Sequence, residues 1–410
     1  MRALVVILAT ACAAQPVAVR DVVRDAPEVH ADQTRYYSIW LGGARVGTAT
    51  ERETWSTRGV ALVRTEEMRF LRGETEVALV TTIAIDADPA LVAERVRWSE
   101  AAGGVTRTAE VHRDDRGWHG AAIATDAVPA ELVPLLVRRD GHFTGDVFLP
   151  ARNFVGGHGR IDAVAPDRLV ARLELAGGPL AEATIDRAPD GMPARVVDGE
   201  GVIALRITAA QARSVFVATD LVAATAVPIS GAHRTHHHLV LEGDLVLPAL
   251  PGQRASVSTA GVAVELGAQL PGAMPAADPG RDRTGEIRSL VASVRARITP
   301  DLGATPTSSH DADAATAGDC TTFALAYAAL ASRRGIPTRV VTGLRVDGDR
   351  LVRHRWAVSW TGRAWIAVDA AFGAAPAGGD LIGLAIHDAD DAGLVAGEAA
   401  LTQVRAAMWN

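Results

Sequence analysis

Lysine is absent from all 410 residues, so each of the 41 basic side chains is an arginine. That excludes every site built on a lysine, among them the phosphate-binding Gly-Lys-Ser/Thr loop and the Ser-x-x-Lys nucleophile. It also means the chain cannot cross-link to itself through lysine side chains. Biased genomic base composition accounts for the arginine preference without a functional cause. Cysteine is nearly absent too, with two residues, Cys12 and Cys320; a disulfide framework is excluded. Apart from the short N-terminal run, no apolar stretch approaches the length of a transmembrane helix; alanine inflates the 48% hydrophobic content. The net charge is −7 with no basic block, which disfavours nucleic-acid binding. There is no His-Glu-x-x-His segment. The tract His233, His236, His237 and His238 would point its side chains alternately along a strand, which does not suit a shared ion. Asp388-x-Asp390-Asp391-x-Gly393 has Ala392 and Ala399 where a calcium loop needs ligands. No metal and no cofactor are expected.

At this length the prior is two to three domains. Arg2 followed by the apolar run Ala3 to Ala11 reads as an export signal within residues 1–14. Ala9-Thr10-Ala11 before Cys12 has the small-residue form of a cleavage site, with cleavage before Cys12 or after Ala14. Residues 15–33 read as a tether. From 34 to 269 short alternating runs with turn signals predict an antiparallel sheet, sandwich or open barrel; examples are Tyr36 to Leu41 and Val77 to Ile83. Ala130 to Arg139 reads as one helix within it. Residues 270–284, rich in Pro, Gly, Ala and Asp, read as a linker. Ile287, Leu290, Val291, Val294 and Ile298 then mark an amphipathic helix. Residues 376–410 read as an extension with a helix over Gly397 to Met408. Export leaves Cys320 without a disulfide partner unless Cys12 serves, which favours a functional thiol.

The reactive residues lie between 319 and 369. Phe323, Ala326, Tyr327, Leu330 and Ala331 form a buried helical stripe. Asp319 suits the N-cap and Gly335 the stop, so Cys320 falls in the first turn. There the unpaired N–H groups and the dipole lower a thiol pKa from about 8.5. His354 to Trp360 and Ala364 to Asp369 read as two strands. If Thr361 and Gly362 are the two central residues of a hairpin, His354 and Asp369 face each other directly. Their Cβ atoms would then be roughly 5 Å apart. A thiol, an imidazole and a carboxylate are the parts of a nucleophilic triad. The opposing reading, a small buried cysteine on an apolar helix, does not explain the matched His and Asp.

These segments resemble the transglutaminase-like superfamily. Gly318-Asp-Cys320-Thr-Thr-Phe-Ala-Leu-Ala-Tyr is similar to its nucleophile helix. Arg334-Gly335-Ile336-Pro337-Thr338-Arg339 is similar to its Gly-Ile-Pro-Ala-Arg segment, and His354-Arg355-Trp356 to its His-Ala-Trp motif. Trp365-Ile366-Ala367-Val368-Asp369 is similar to its Trp-x-x-x-Asp motif. Thr338, Arg355 and Ala370 depart from the usual residues without removing a reactive atom. Ala11-Cys12 resembles a lipobox, which makes Cys12 a candidate lipid anchor. The resemblance implies an α+β chain: a β-rich N-terminal antiparallel region, then a papain-like transglutaminase core over 285–375. It implies catalysis by Cys320, His354 and Asp369 on a protein or peptide substrate. The product would be a cysteine hydrolase or acyltransferase of a bacterial cell envelope, periplasmic or membrane-anchored, with hydrolysis favoured over cross-linking. The alternative is a non-catalytic envelope binding or assembly module with a vestigial triad.

Overall fold

The computed structural model describes residues 31–175, 180–198, 201–231, 238–243, 245–302 and 309–410. Cys12, the expected signal, most of the tether, and His233, His236 and His237 lie outside these residues. Strands make up 52% and helices 18%, so the chain is α+β. Among the described residues no helix is long and apolar enough to cross a membrane.

The N-terminal half folds as a single fourteen-stranded sheet. Seven strands from Gln33 to His119 run as a meander, and seven from Val128 to Ile207 run as another. The two meet where Gln33–Leu41 pairs antiparallel with Val202–Ile207, Tyr36 opposite Ile207. All neighbours are antiparallel except the short Val128–Pro129 pair. Alternation along these strands lays one apolar face inward. That face wraps a short helical segment, the 3₁₀ turn Ala130–Leu132 and the helix Val133–Asp140. Leu132, Leu135 and Leu136 pack on the first meander, against Leu62, Ile85 and Val96. Val133 and Val137 pack on the second, against Ile161, Leu173 and Ile185. The helix thus plugs a curled sheet. An ionic stripe runs beside it: Arg35, fully buried, binds Glu51 and Glu53, and Arg138 of the helix also binds Glu53.

The boundary expected at 269 lies earlier. Strands Val227–Ser230, His238–Gly243, Gln253–Ser258 and Gly261–Leu266 belong to a second, nine-stranded sheet. In that sheet they join Thr338–Asp347, Arg350–Trp360, Trp365–Val368, Leu381–His387 and Val404–Trp409. Their pattern matches that of the first sheet, and period-2 alternation does not say which sheet a strand enters. The expected C-terminal helix is also corrected. The helix spans Asp391–Ala400, and Val404–Trp409 is a strand between His238–Gly243 and Val227–Ser230. Its apolar positions Val404, Ala407 and Trp409 are buried in the sheet core.

The expected linker is a strap fastened to this second domain. Trp365 donates its indole N–H to Pro275 O at 2.7 Å and Trp360 to Asp278 O at 2.9 Å. Arg283 N and Gly280 N donate to Thr361 O and Gly362 O. Helix Thr284–Arg297 then packs Ile287, Val291 and Val294 on Phe323 and Tyr327 of helix Cys320–Arg333. Burying each large side chain there contributes about 1.5–3 kcal/mol.

Candidate active site

Helix Cys320–Arg333 begins where its sequence requires. Asp319 Oδ1 accepts from Thr321 N at 3.0 Å and Thr322 N at 3.2 Å, an N-cap. Capping of this kind stabilises a helix by about 1 kcal/mol. It leaves Cys320, half-buried, at the first helical position with the positive end of the dipole behind its sulfur. The preceding strand pair, Thr299–Pro300 beside Ala317–Gly318, fixes the approach of the chain.

Among the described residues, strands cover the outer edge of the His strand, Arg350–Trp360, at two places. Val227–Ser230 pairs with 350 and 351, and Trp365–Val368 with 357 to 360. Residues 352–356 lie in the gap, and the start of the Cys320 helix lies against them. There the Cys320 thiol faces His354, close enough for each to shift the other's titration. His354 Nε2 donates to Asp369 Oδ2 at 2.8 Å, so Nδ1 is the nitrogen left for the sulfur. Asp369 Oδ1 accepts from the backbone N–H groups of Ala371 and Phe372. The imidazole is stacked on Trp356, centroids 6.0 Å apart, and meets the edge of Phe372 at 5.5 Å. Phe372 is 54% exposed and carries the Arg345 guanidinium 3.7 Å above its ring. Gly343, opposite His354, must be glycine, because a Cβ there would meet Ile382 O and the Trp356 ring.

The hairpin register differs from the expectation by two residues. Trp360 pairs with Trp365 and Ala357 with Val368, so the loop is Thr361 to Ala364. The Thr361 hydroxyl takes the Ala364 N–H, and the strap holds the Thr361 and Gly362 carbonyls; together they stabilise the wider loop. A slip of one residue would have put His354 and Asp369 on opposite faces, but a slip of two preserves the face. Asp369 therefore reaches His354 diagonally, from just beyond its strand.

Burial favours a neutral thiol, yet the hydrogen bond from His354 and its charge outweigh burial and lower the Cys320 pKa. Burial likewise opposes the imidazolium, and the hydrogen bonds to Asp369 and Cys320 outweigh it, raising His354. The two shifts have one cause: the site favours a thiolate–imidazolium pair.

Two supporting groups were illegible in the sequence. Arg72, at the end of strand Gly59–Arg72 in the first sheet, donates from Nη2 to Asp319 Oδ2 at 2.8 Å and from Nη1 to Leu302 O at 2.6 Å. Burial alone would raise the Asp319 pKa, but Arg72 holds this carboxyl at about 2. The N-terminal sheet thus grips the N-cap of the nucleophile helix. Nothing near Arg72 in the chain signals this, because the partners are 247 residues apart. The second group is Arg355, the departure from the family motif. It donates to Thr321 Oγ1, Thr342 Oγ1 and Glu398 Oε1, each at 2.9 Å. Its place beside His354, where the family motif has Ala, was the available signal. The three candidate calcium-loop aspartates are engaged elsewhere, Asp388 by Arg339, Asp390 by Gly393 N and Asp391 by Asn153.

Residues 275–370 match the sequence model of the transglutaminase-like superfamily. This segment belongs to that superfamily. The match opens at the acceptor of the Trp365 indole and closes one residue past Asp369, so the strap is part of the transglutaminase-like domain. The matched segment is accordingly of the cysteine-enzyme kind. Among solved structures it is similar to a candidate cysteine protease from Cytophaga hutchinsonii, at 17% identity and a TM-score of 0.22. That likeness covers 41% of this chain and 76% of the other. No curated protein matches the chain.

Proposed function

We propose that the transglutaminase-like domain hydrolyses amide bonds in a protein or peptide through Cys320, His354 and Asp369. The observation that carries this reading is the alignment of thiol, imidazole and carboxylate: Cys320 opens a capped helix beside His354, which is hydrogen-bonded to Asp369 at 2.8 Å. The Cys320 thiolate attacks the amide carbonyl carbon, and the carbonyl π pair moves to oxygen. The backbone N–H of Cys320, at the first helical position, is placed to stabilise that oxyanion. Collapse breaks the C–N bond, and the His354 imidazolium gives its proton to the departing amine. Water then attacks the thioester while His354 takes its proton, releasing a carboxylic acid and returning the thiol. Asp369 keeps the imidazole in one tautomer and orientation throughout. An amine in place of water would give acyl transfer. The sequence supports export for this activity, with Cys12 as its anchor, in a bacterial cell envelope.

The test is the pH dependence of Cys320 alkylation beside His354→Ala, followed by amide hydrolysis and amine incorporation assayed in parallel. Reaction well below the ordinary thiol pKa, lost in the variant, supports the activated pair. An ordinary thiol profile in both proteins refutes it.

A further inference from the structure

A cavity of about 130 Å³ opens between the plug helix Val133–Asp140 and the second meander of the N-terminal sheet. It is half-open, so a chain longer than its enclosed volume can extend out of it. The walls are mainly branched aliphatic side chains, among them Val137, Val147, Ile161, Leu173 and Ile185, with Phe143, Arg160, Arg172 and Arg187 also lining them. They offer no stack of aromatic rings for a sugar or a base. One end is different. Tyr37 and Glu131 line it beside Arg64 and Glu51. Tyr37 is 3% exposed, and its hydroxyl has no hydrogen-bond partner among the described residues. Glu131 Oε2 is buried and equally unpartnered. Native interiors rarely leave buried polar atoms unsatisfied, and two at one end of an apolar cavity call for an explanation. Both feel Arg64 and Glu51, so the two groups share one electrostatic neighbourhood.

We propose that this cavity binds an acyl chain, with its aliphatic part between the plug helix and the sheet and its carbonyl or carboxyl oxygen at Tyr37 and Glu131. The Tyr37 hydroxyl supplies one donor. Burial raises Glu131 to about 7, so near neutral pH its carboxyl exists in part as a second donor. Arg64 at that end is already paired with Glu51 and Glu66, so the uncharged acid or ester is the form this end favours. The cavity uses none of the residues of the transglutaminase-like domain, so acyl binding stands or falls independently of amide hydrolysis. It would give the N-terminal sheet a ligand of its own: a free fatty acid, or the acyl chain of a membrane lipid or acylated protein.

The test titrates the full chain, carrying Cys320→Ala, with decanoate by calorimetry. Vesicles of phosphatidylglycerol are run in parallel, scoring lipid carried off by the protein. Tyr37→Phe removes the unpartnered hydroxyl; it should leave the thermal midpoint of the unliganded protein unchanged or higher. The same change should weaken binding about five-fold, the loss of one ordinary hydrogen bond. Ala171→Leu, which adds bulk to the cavity wall, should abolish binding. Decanoate binding with these effects supports a free fatty acid; extraction from vesicles alone, with the same effects, supports a membrane acyl chain. No binding of either probe overturns the proposal. So does binding that both variants leave intact.

Discussion

Removing Arg72 should damage a site that lies in another domain. Its guanidinium is 9% exposed and the Asp319 carboxylate 1%, and they meet at 2.8 Å. In Arg72→Ala the carboxylate stays buried and keeps its cap hydrogen bonds. Breaking a buried pair from one side typically costs about 3–5 kcal/mol. The lost hydrogen bond to Leu302 O is part of that loss. A second effect reaches the thiol. The Asp319 charge already works against the Cys320 thiolate, and without Arg72 its largest compensating charge is gone. An adjacent like charge raises an acid's pKa by about one unit or more, worth roughly 1.4 kcal/mol per unit. Arg72→Ala should therefore show a lower urea midpoint and a thiol alkylation profile moved to higher pH. Asp319→Asn retains a capping side chain and removes the charge. The double variant should accordingly recover most of the stability and the thiol profile lost in Arg72→Ala. A double variant no better than Arg72→Ala would refute the ion-pair explanation, as would an Arg72→Ala protein with wild-type midpoint and profile.

Further outcomes follow from the same geometry. Asp369→Asn should lower amide hydrolysis roughly a hundredfold or more and lower the His354 pKa, read by histidine NMR; an unchanged imidazole pKa would count against the assigned contact. Arg355→Ala removes the nearer partner of Glu398 and leaves it Arg353 at 4.0 Å; the domain should lose about 3 kcal/mol. Arg355→Lys should recover only part of this, since an ammonium does not span Thr321, Thr342 and Glu398 in one plane. Asp319 and Glu398 have folded pKa values lowered to about 2, burial being outweighed by Arg72 in the first case and Arg355 in the second. Lowered carboxyl values stabilise the fold above the unfolded pKa, so this contribution is full above pH 4.5 and fades as pH falls toward 2. Acid unfolding followed by circular dichroism should show that loss, reduced in Arg355→Ala; parallel curves would contradict it. Trp365→Phe should release the strap locally, seen as faster amide exchange across 275–283 with the thiol profile unchanged.

Local rules carried far in this chain. The stripe Phe323, Ala326, Tyr327 and Ala331, the Asp319 cap and the Cys320 position depend on neighbours within a turn, and the helix forms as they dictate. His354 and Asp369 share a face because strand alternation has period two, which is why the wrong loop length still put them together. The alternating runs also announced an antiparallel N-terminal sheet. Tertiary structure decided what neighbours in sequence cannot encode. It sent Val227 to Leu266 into the second sheet, and it turned the end of the chain, read as a helix, into the strand Val404–Trp409. Trp409 and Ala407 find their burial only between strands brought from far away in the chain. It fastened the strap through indole donors, and it brought Arg72 to Asp319 across 247 residues. Identity and spacing therefore named the thiol, the imidazole and the carboxylate. Their electrostatic setting, with Arg72 and Arg355 around the nucleophile helix, exists only after distant segments pack, because a buried charge finds its partner in space and not along the chain.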